Sequence, residues 1–281
     1  MSFAAAEEVV VYAITDSDVE KAGLIFSKAK LGSNIGVVHS TQRNFDIYYD
    51  LPALTLLDNR VSLKLTALEY LSKKGNSKFK ESVVISSDLA ETSYKVKHYK
   101  NAESVEEKHP LLGAVKRNER AQFLVDLDAL TVSLPMQLRE IVQVGLVTDR
   151  LSLTQNNIEL AYIDLVQYNA QSIGETVEFS VVKITKTDAI SNLNAEAKLQ
   201  VLSEISTITD LLPIDTNKAL VSDEDFEYAL IYSELMDNIR FLSLKLRFPY
   251  LVNLFNSLFI GFFGLIVVLI LLRQRRKNYK L

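Results

Sequence analysis

The chain has 281 residues, 48% of them hydrophobic, with 31 Lys and Arg against 35 Asp and Glu and a net charge of −4. That balance excludes a nucleic-acid binder held by general phosphate attraction. With no cysteine there are no disulfides, no thiolate nucleophile and no zinc–thiolate site, and His39, His98 and His109 have no metal-ligand spacing and read as surface residues.

The N-terminus, MSFAAAEEVVVYAITDSD, has no basic region followed by an apolar core, so no cleaved secretory signal is expected. Asp16–Leu31 reads as a helix. Period-two alternation then predicts strands. In FDIYYD, Phe45, Ile47 and Tyr49 alternate with Asp46, Tyr48 and Asp50. In RVSLKLT, Val61, Leu63 and Leu65 alternate with Ser62, Lys64 and Thr66. Lys73–Lys80 reads as a solvated loop or turn, and in SYKVKHY Lys95 and Lys97 share one face. Further strands are expected at Gln122–Leu127, Leu151–Thr154, Ile158–Leu165 and Thr176–Thr185. Helices are expected at Pro135–Val144, with Leu138, Ile141 and Val142 on one side, and at Asn194–Leu202. Many strands and few helices predict an α+β fold built on an antiparallel sheet or barrel.

Ser222–Asp225 (SDED) has the form of a capping box, and Ile231, Leu235, Ile239, Leu242 and Leu246 recur at helical spacing up to Phe248. This amphipathic stripe packs on its own domain, lies on a bilayer surface or meets another subunit. Leu251–Leu272 then runs without a charge between Arg240, Lys245 and Arg247 on one side and Arg273, Arg275, Arg276 and Lys277 on the other. About 20 apolar residues cross a hydrocarbon core of ~30 Å, so a transmembrane helix is expected. Without a leader the large N-terminal part stays on the cytoplasmic side as a tail-anchored protein, although the basic tail argues the opposite orientation. The membrane itself, bacterial inner or organellar, stays open. The resulting division is a domain over 1–222, a juxtamembrane helix over 223–249, a span over 250–272 and a basic tail over 273–281.

Several segments, in this order, resemble the CYTH superfamily of triphosphate tunnel enzymes, particularly its inorganic triphosphatase branch. FDIYYDLPALTLLDNRVSLKLT is similar to a family strand, turn and basic strand; TSYKVK to a basic strand; KRNERAQFLVDL to an Arg-x-Glu strand. LPMQLREIVQVGLVTDRLSL resembles a helix followed by a strand entered through arginine. NNIELAYIDL and ETVEFSVVKI are similar to carboxylate-bearing strands, and LLPIDTNKA to a late lysine segment. The resemblance spans roughly residues 40 to 222 and implies an eight-stranded antiparallel tunnel. It also implies phosphate-binding roles for Lys64, Lys95 (or Lys97), Arg117, Arg150 and Lys218, and metal-binding roles for Glu119, Asp164 and Glu178. Mg²⁺ or Mn²⁺ would be the cofactor of an active member, because hard cations take oxygen ligands.

The sequence departs from that pattern. The opening strand reads EEVVVYAI, where only Glu8 remains of an alternating acidic motif. Thr66 stands where a second basic residue is expected, and Glu178 is followed by Ser180 and Val182 rather than by carboxylates. Glu159 and Asp164 are five apart, an odd offset that puts them on opposite faces of a regular strand, a fault that a bulge between them would repair. No Gly-rich phosphate loop, G-x-S-x-G or His pair supplies another chemistry. The expectation is a membrane-anchored, non-catalytic accessory or scaffold domain whose partners are the bilayer and a membrane protein, not nucleic acid. The alternatives are a triphosphate or polyphosphate binder and an active triphosphatase.

Overall fold

A computed structural model describes residues 8–28, 35–51, 54–71, 77–87, 90–96, 114–131, 138–215, 219–222, 227–240 and 242–247. The candidate span at Leu251–Leu272, the basic tail, Lys97 and Lys218 lie outside these residues. Among the described residues no helix is long and apolar enough to cross a membrane.

In chain order the elements are β1 (Glu8–Ile14), α1 (Asp16–Lys28), β2 (Gly36–Asp50), α2 (Thr55–Asp58), β3 (Val61–Leu71), β4 (Ser77–Ser87), β5 (Ala90–Lys95) and α3 (Arg120–Thr131). There follow β6 (Arg139–Gln155), β7 (Ile158–Ser172), β8 (Glu175–Lys186), a 3-10 turn (Asp188–Asn192), α4 (Ala195–Leu211), β9 (Ala219–Ser222), α5 (Glu227–Asn238) and α6 (Leu242–Arg247). Nine strands form one antiparallel sheet in the order β5-β4-β3-β2-β6-β7-β8-β1-β9. The expected antiparallel sheet with flanking helices is present. It has nine strands rather than eight, and among the described residues β5 and β9 are its two edges.

Residues opposite one another in a ladder point to the same face, so the registers sort every strand residue. One face carries Ile47, Leu63, Leu65, Val83 and Ile85 under α3, whose Phe123 and Leu127 are fully buried. It continues through Leu151, Leu153, Ile163, Leu165 and Ile184, covered by Phe26 of α1 and by Val201, Ile205 and Ile208 of α4. The opposite face carries Tyr48, Val142, Val144, Leu146, Val166, Tyr168, Ala170 and Val181, and on it lie Tyr228, Ile231, Leu235, Ile239, Leu242 and Leu246 of α5 and α6. Both faces are therefore covered, which explains why Asp46 through Asp50 are all buried.

Three expectations from periodicity are corrected. Gln122–Leu127 lies in α3, not a strand. Phe123 and Leu127, one turn apart, are buried while Val125 between them is 61% exposed, and short apolar runs fit either period. Pro135–Val144 is no helix where it is described, because β6 begins at Arg139. A bulge opposite Tyr48 and Tyr49 lets consecutive Ile141 and Val142 bury in one cluster, which imitates helical spacing. Lys73–Lys80 includes the start of β4 at Ser77.

The expected helices at Asp16–Leu31 and Asn194–Leu202 appear as α1 and a longer α4, capped where Asn194 accepts a hydrogen bond from the Ala197 N–H at 2.8 Å. Ser222 ends β9 and α5 is described from Glu227, so the rest of the SDED run lies outside the described residues. The amphipathic stripe is divided between α5 and α6, and every one of its apolar members is buried against the sheet.

Candidate functional site

The polar centre of the molecule lies where α5 begins. Lys64 on β3 sits opposite Tyr48 on β2, and Asp46 is two residues along the same face. The Lys64 ammonium donates to Asp46 at 2.7 Å and to Glu227 of α5 at 3.1 Å. Tyr48 donates its hydroxyl to Glu227 Oε2 at 2.9 Å, and Tyr168 on β7 donates to Oε1 at 3.1 Å. β3 and β7 are three strands apart in the sheet order, about 14 Å on a flat sheet. Their meeting at one carboxylate is the geometry of a sheet curled towards α5. Tyr48 also stacks on Tyr228, with ring centroids 4.9 Å apart, which fixes the angle at which α5 enters.

The electrostatics follow from this packing. Burial alone would raise the Glu227 carboxyl, but the Lys64 ammonium, with Lys183 behind it and the hydrogen bonds from Lys64 and Tyr48, holds it down at about 2. Burial would likewise lower the Lys64 ammonium; Glu227 and Asp46 overcome it and push it well up. Burial pushes Asp46 upward against the pull of Lys64. The cluster is an ammonium shared by two carboxylates, with two phenols completing the hydrogen bonds to Glu227.

A third carboxylate organises the entry to this face. Asp50, at the end of β2, accepts from the backbone N–H groups of Leu51, Leu56 and Leu57 at 2.6, 2.9 and 3.0 Å. Those bonds hold the turn into α2, where Leu54 adopts a left-handed φ of 60°. The Tyr228 hydroxyl reaches the same carboxylate at 3.4 Å.

The candidates implied by the resemblance fall in separate places. Lys64, Lys95, Arg150 and Asp164 have registers on the α5 face. Arg150 donates to Asp164 through Nε and Nη2, both at 2.8 Å, and its guanidinium lies 3.8 Å from the Tyr162 ring centroid. Its fork is thus engaged by its cross-strand neighbour. Lys95 is exposed on the edge strand, and its backbone N–H donates to Glu119 at 2.7 Å. Arg117 and Glu119 occupy the turn before α3 rather than a strand. Glu178 is exposed on the opposite face, where it accepts from Asn169 at 2.7 Å.

Glu119, Asp164 and Glu178 are not brought together. Among the described residues no group of three or more acidic or imidazole side chains is placed to hold a metal ion. The described residues do not fit the divalent cation that the resemblance implies. An open cleft of about 510 Å³, lined by Arg43, Gly145, Gln167, Asn169 and Glu178, belongs to the other face and is remote from Lys64.

Sequence reasoning missed Asp46, Tyr48, Tyr168 and Glu227 as a set. Glu227 is 163 residues from Lys64, and periodicity tells which face a residue takes but not which distant strand it meets. The one available signal was the acidic run preceding α5.

No protein-family model matches the sequence, and no curated protein matches it. Among solved structures, the fold is similar to that of the PH1819 protein from Pyrococcus horikoshii, at 8% identity and a TM-score of 0.38 over 81% of this chain and 98% of that one. It is similar to HpAC1 from Hippeastrum, a candidate adenylyl cyclase with a dominant triphosphatase activity, at 12% and 0.41 over 82% and 96%. It is also similar to the S. pombe Pct1 RNA triphosphatase, solved with the Spt5 CTD, at 8% and 0.35 over 76% and 88%. Likeness of this degree is slight, and the functional reading rests on the side chains.

Proposed function

We propose that the chain is a membrane-tethered, non-catalytic CYTH-like domain that serves as an accessory or scaffold subunit of a membrane assembly. The observation that carries this reading is Glu227. A protein carboxylate lies where Lys64, Tyr48 and Tyr168 would otherwise meet a phosphate, and α5 fills the face that would line a tunnel. Phosphoryl transfer needs positive charge free to follow the transferring group and a cation fixed by the protein. Here Lys64 and Arg150 are both engaged by carboxylates of the fold. The apolar run at Leu251–Leu272 supplies the tether.

The test is phosphate release from inorganic triphosphate by the full chain in detergent with Mg²⁺ or Mn²⁺, beside a Lys64→Ala variant. No turnover above the variant is expected. Turnover near ~1 s⁻¹ that disappears on substitution overturns the reading.

A triphosphate- or polyphosphate-binding module is the second reading. It is favoured because an ammonium and two phenols already hold an anion. Calorimetry with inorganic triphosphate at low salt separates the two, since only a binder shows heat that fades steeply as salt rises.

A further inference from the structure

Two β-hairpins at opposite ends of the sheet have two-residue turns with positive φ at both central positions, the geometry that matches strand twist. Between β6 and β7 the pair is Asn156–Asn157, with φ of 53° and 64°. Asparagine is the ordinary non-glycine choice there. Between β7 and β8 the pair is Ile173–Gly174, with φ of 53° and 76°. Gly174 suits its position; Ile173 does not, because a β-branched residue at positive φ is strained. Ile173 is also 48% exposed, so core packing does not account for it.

The surroundings of that tip suggest what does. Glu175, the residue after the turn, accepts from Lys245 of α6 at 2.9 Å. Ile173, Gly174, Lys245, Leu246, Arg139 and Gln171 line a common cleft of about 380 Å³. α6 ends at Arg247, and the charge-free run begins four residues later at Leu251, at most about 14 Å of chain away. The strained apolar tip is therefore joined to the helix that precedes the charge-free run.

We propose that the β7–β8 tip and α6 form the face of the domain that rests on the bilayer, with Ile173 inserted at the headgroup–acyl boundary and Lys245 at the level of the lipid phosphates. This rests on the tether of the preceding section. Inserting the exposed isoleucine into lipid returns the hydrophobic free energy that offsets its backbone strain. The orientation follows: β7 stands upright, and the Asn156–Asn157 turn is about 45 Å further from the lipid, a distance set by the strand rise over Ile158–Ser172.

The chain contains no tryptophan, so one introduced indole reports alone. Full-length Ile173→Trp and Ile158→Trp variants, the latter at the far turn, are reconstituted into phosphatidylcholine–phosphatidylglycerol vesicles with and without brominated acyl chains. Co-flotation, with quenching and a blue-shifted spectrum for Ile173→Trp only, is expected. A chain that floats while the Ile173→Trp indole stays unquenched overturns the inference and leaves the tether standing. A blue shift without quenching assigns the tip to a protein partner and also overturns it. A chain that does not float overturns the tether and this inference together. Independently, Ile173→Asn restores ordinary turn chemistry and is expected to raise Tm in detergent by about 2–4 °C. A lowered Tm would mean that Ile173 is retained for packing, against the proposal.

Discussion

Glu227 gains an ammonium and two phenol donors on folding, so the folded chain binds the proton of its carboxyl more weakly than the unfolded chain does. The folded value of about 2 lies below the ordinary 4.5. The stability it contributes is therefore complete above about pH 4.5 and is lost as the pH falls through about 2. Asp46 acts in the opposite sense: its raised pKa contributes stability at low pH that is lost as the pH rises through its folded value. The acid loss is consequently shallower than Glu227 alone would give. Because the Glu227 side chain is 33% exposed, solvent screens the pairing, and Glu227→Gln should cost about 1–2 kcal/mol at pH 7, or about 2–8 °C in Tm. The measurement is thermal unfolding of the full chain in detergent between pH 2 and 7. The wild type should lose stability between 4.5 and 2, and Glu227→Gln should flatten that limb. Parallel acid limbs would show that the carboxylate does not bear this charge.

Of its twelve residues, α5 buries Tyr228, Leu230, Ile231 and Leu235. Ile231 and Leu235 are fully buried on the sheet, so Ile231→Ala should cost about 2–5 kcal/mol by leaving a cavity. Leu199→Ala on α4, where the leucine is 69% exposed, should change stability by no more than about 0.5 kcal/mol. Chemical unfolding of the two variants checks the pair. Asp50→Ala, which leaves three backbone N–H groups without their acceptor, should cost about 2–4 kcal/mol.

The elements also show where sequence reading works. Val61–Thr66 is legible because regular pleating gives period two, and α1 because Thr15 precedes a run whose Ala22 and Phe26, one turn apart, bury together; Ile158–Leu165 reads as a strand although its pairing shifts opposite Leu153 and Thr154. The opening of β6 was not, because its bulge breaks the pleat at Ile141. β4 was hidden by its flank: Lys78, Phe79 and Lys80 are exposed and resemble a loop, while Val83, Val84 and Ile85 are consecutive buried residues with no alternation. Of the polar cluster, Lys64 alone was identified, since alternation exposes a lysine's face but not the helix that will cover it.

For the whole molecule, the apolar stripe of α5 and α6 is buried on the sheet, and the charge-free run at Leu251–Leu272 follows it in the sequence. The stripe belongs to the sheet, and the proposed tether assigns the run to lipid. A chain ended after Phe248 is expected to purify without detergent, whereas the full chain should float with vesicles and resist high-salt washing. Membrane association of the shortened chain would assign the anchoring to α5 and α6 instead. Strand order points to slow assembly as well. β2 pairs with β6, and Thr41 meets Asp149 across 108 residues. Contacts of that separation place refolding in the ms–s range rather than in microseconds, which stopped-flow fluorescence of the tyrosines would show.

Tyr48 and Glu227 are hydrogen-bonded across 179 residues of chain. At a synthesis rate of about 5–20 residues per second, roughly 10–35 s separate their emergence. During that interval Val142, Val144, Leu146 and Val166 emerge with nothing to cover them, because the helix that will do so has yet to be translated. Ribosome-bound chains stopped before Glu227 should therefore be cut readily by protease within β6 and β7 and should recruit chaperones that hold exposed apolar surface. Chains released after Arg247 should do neither.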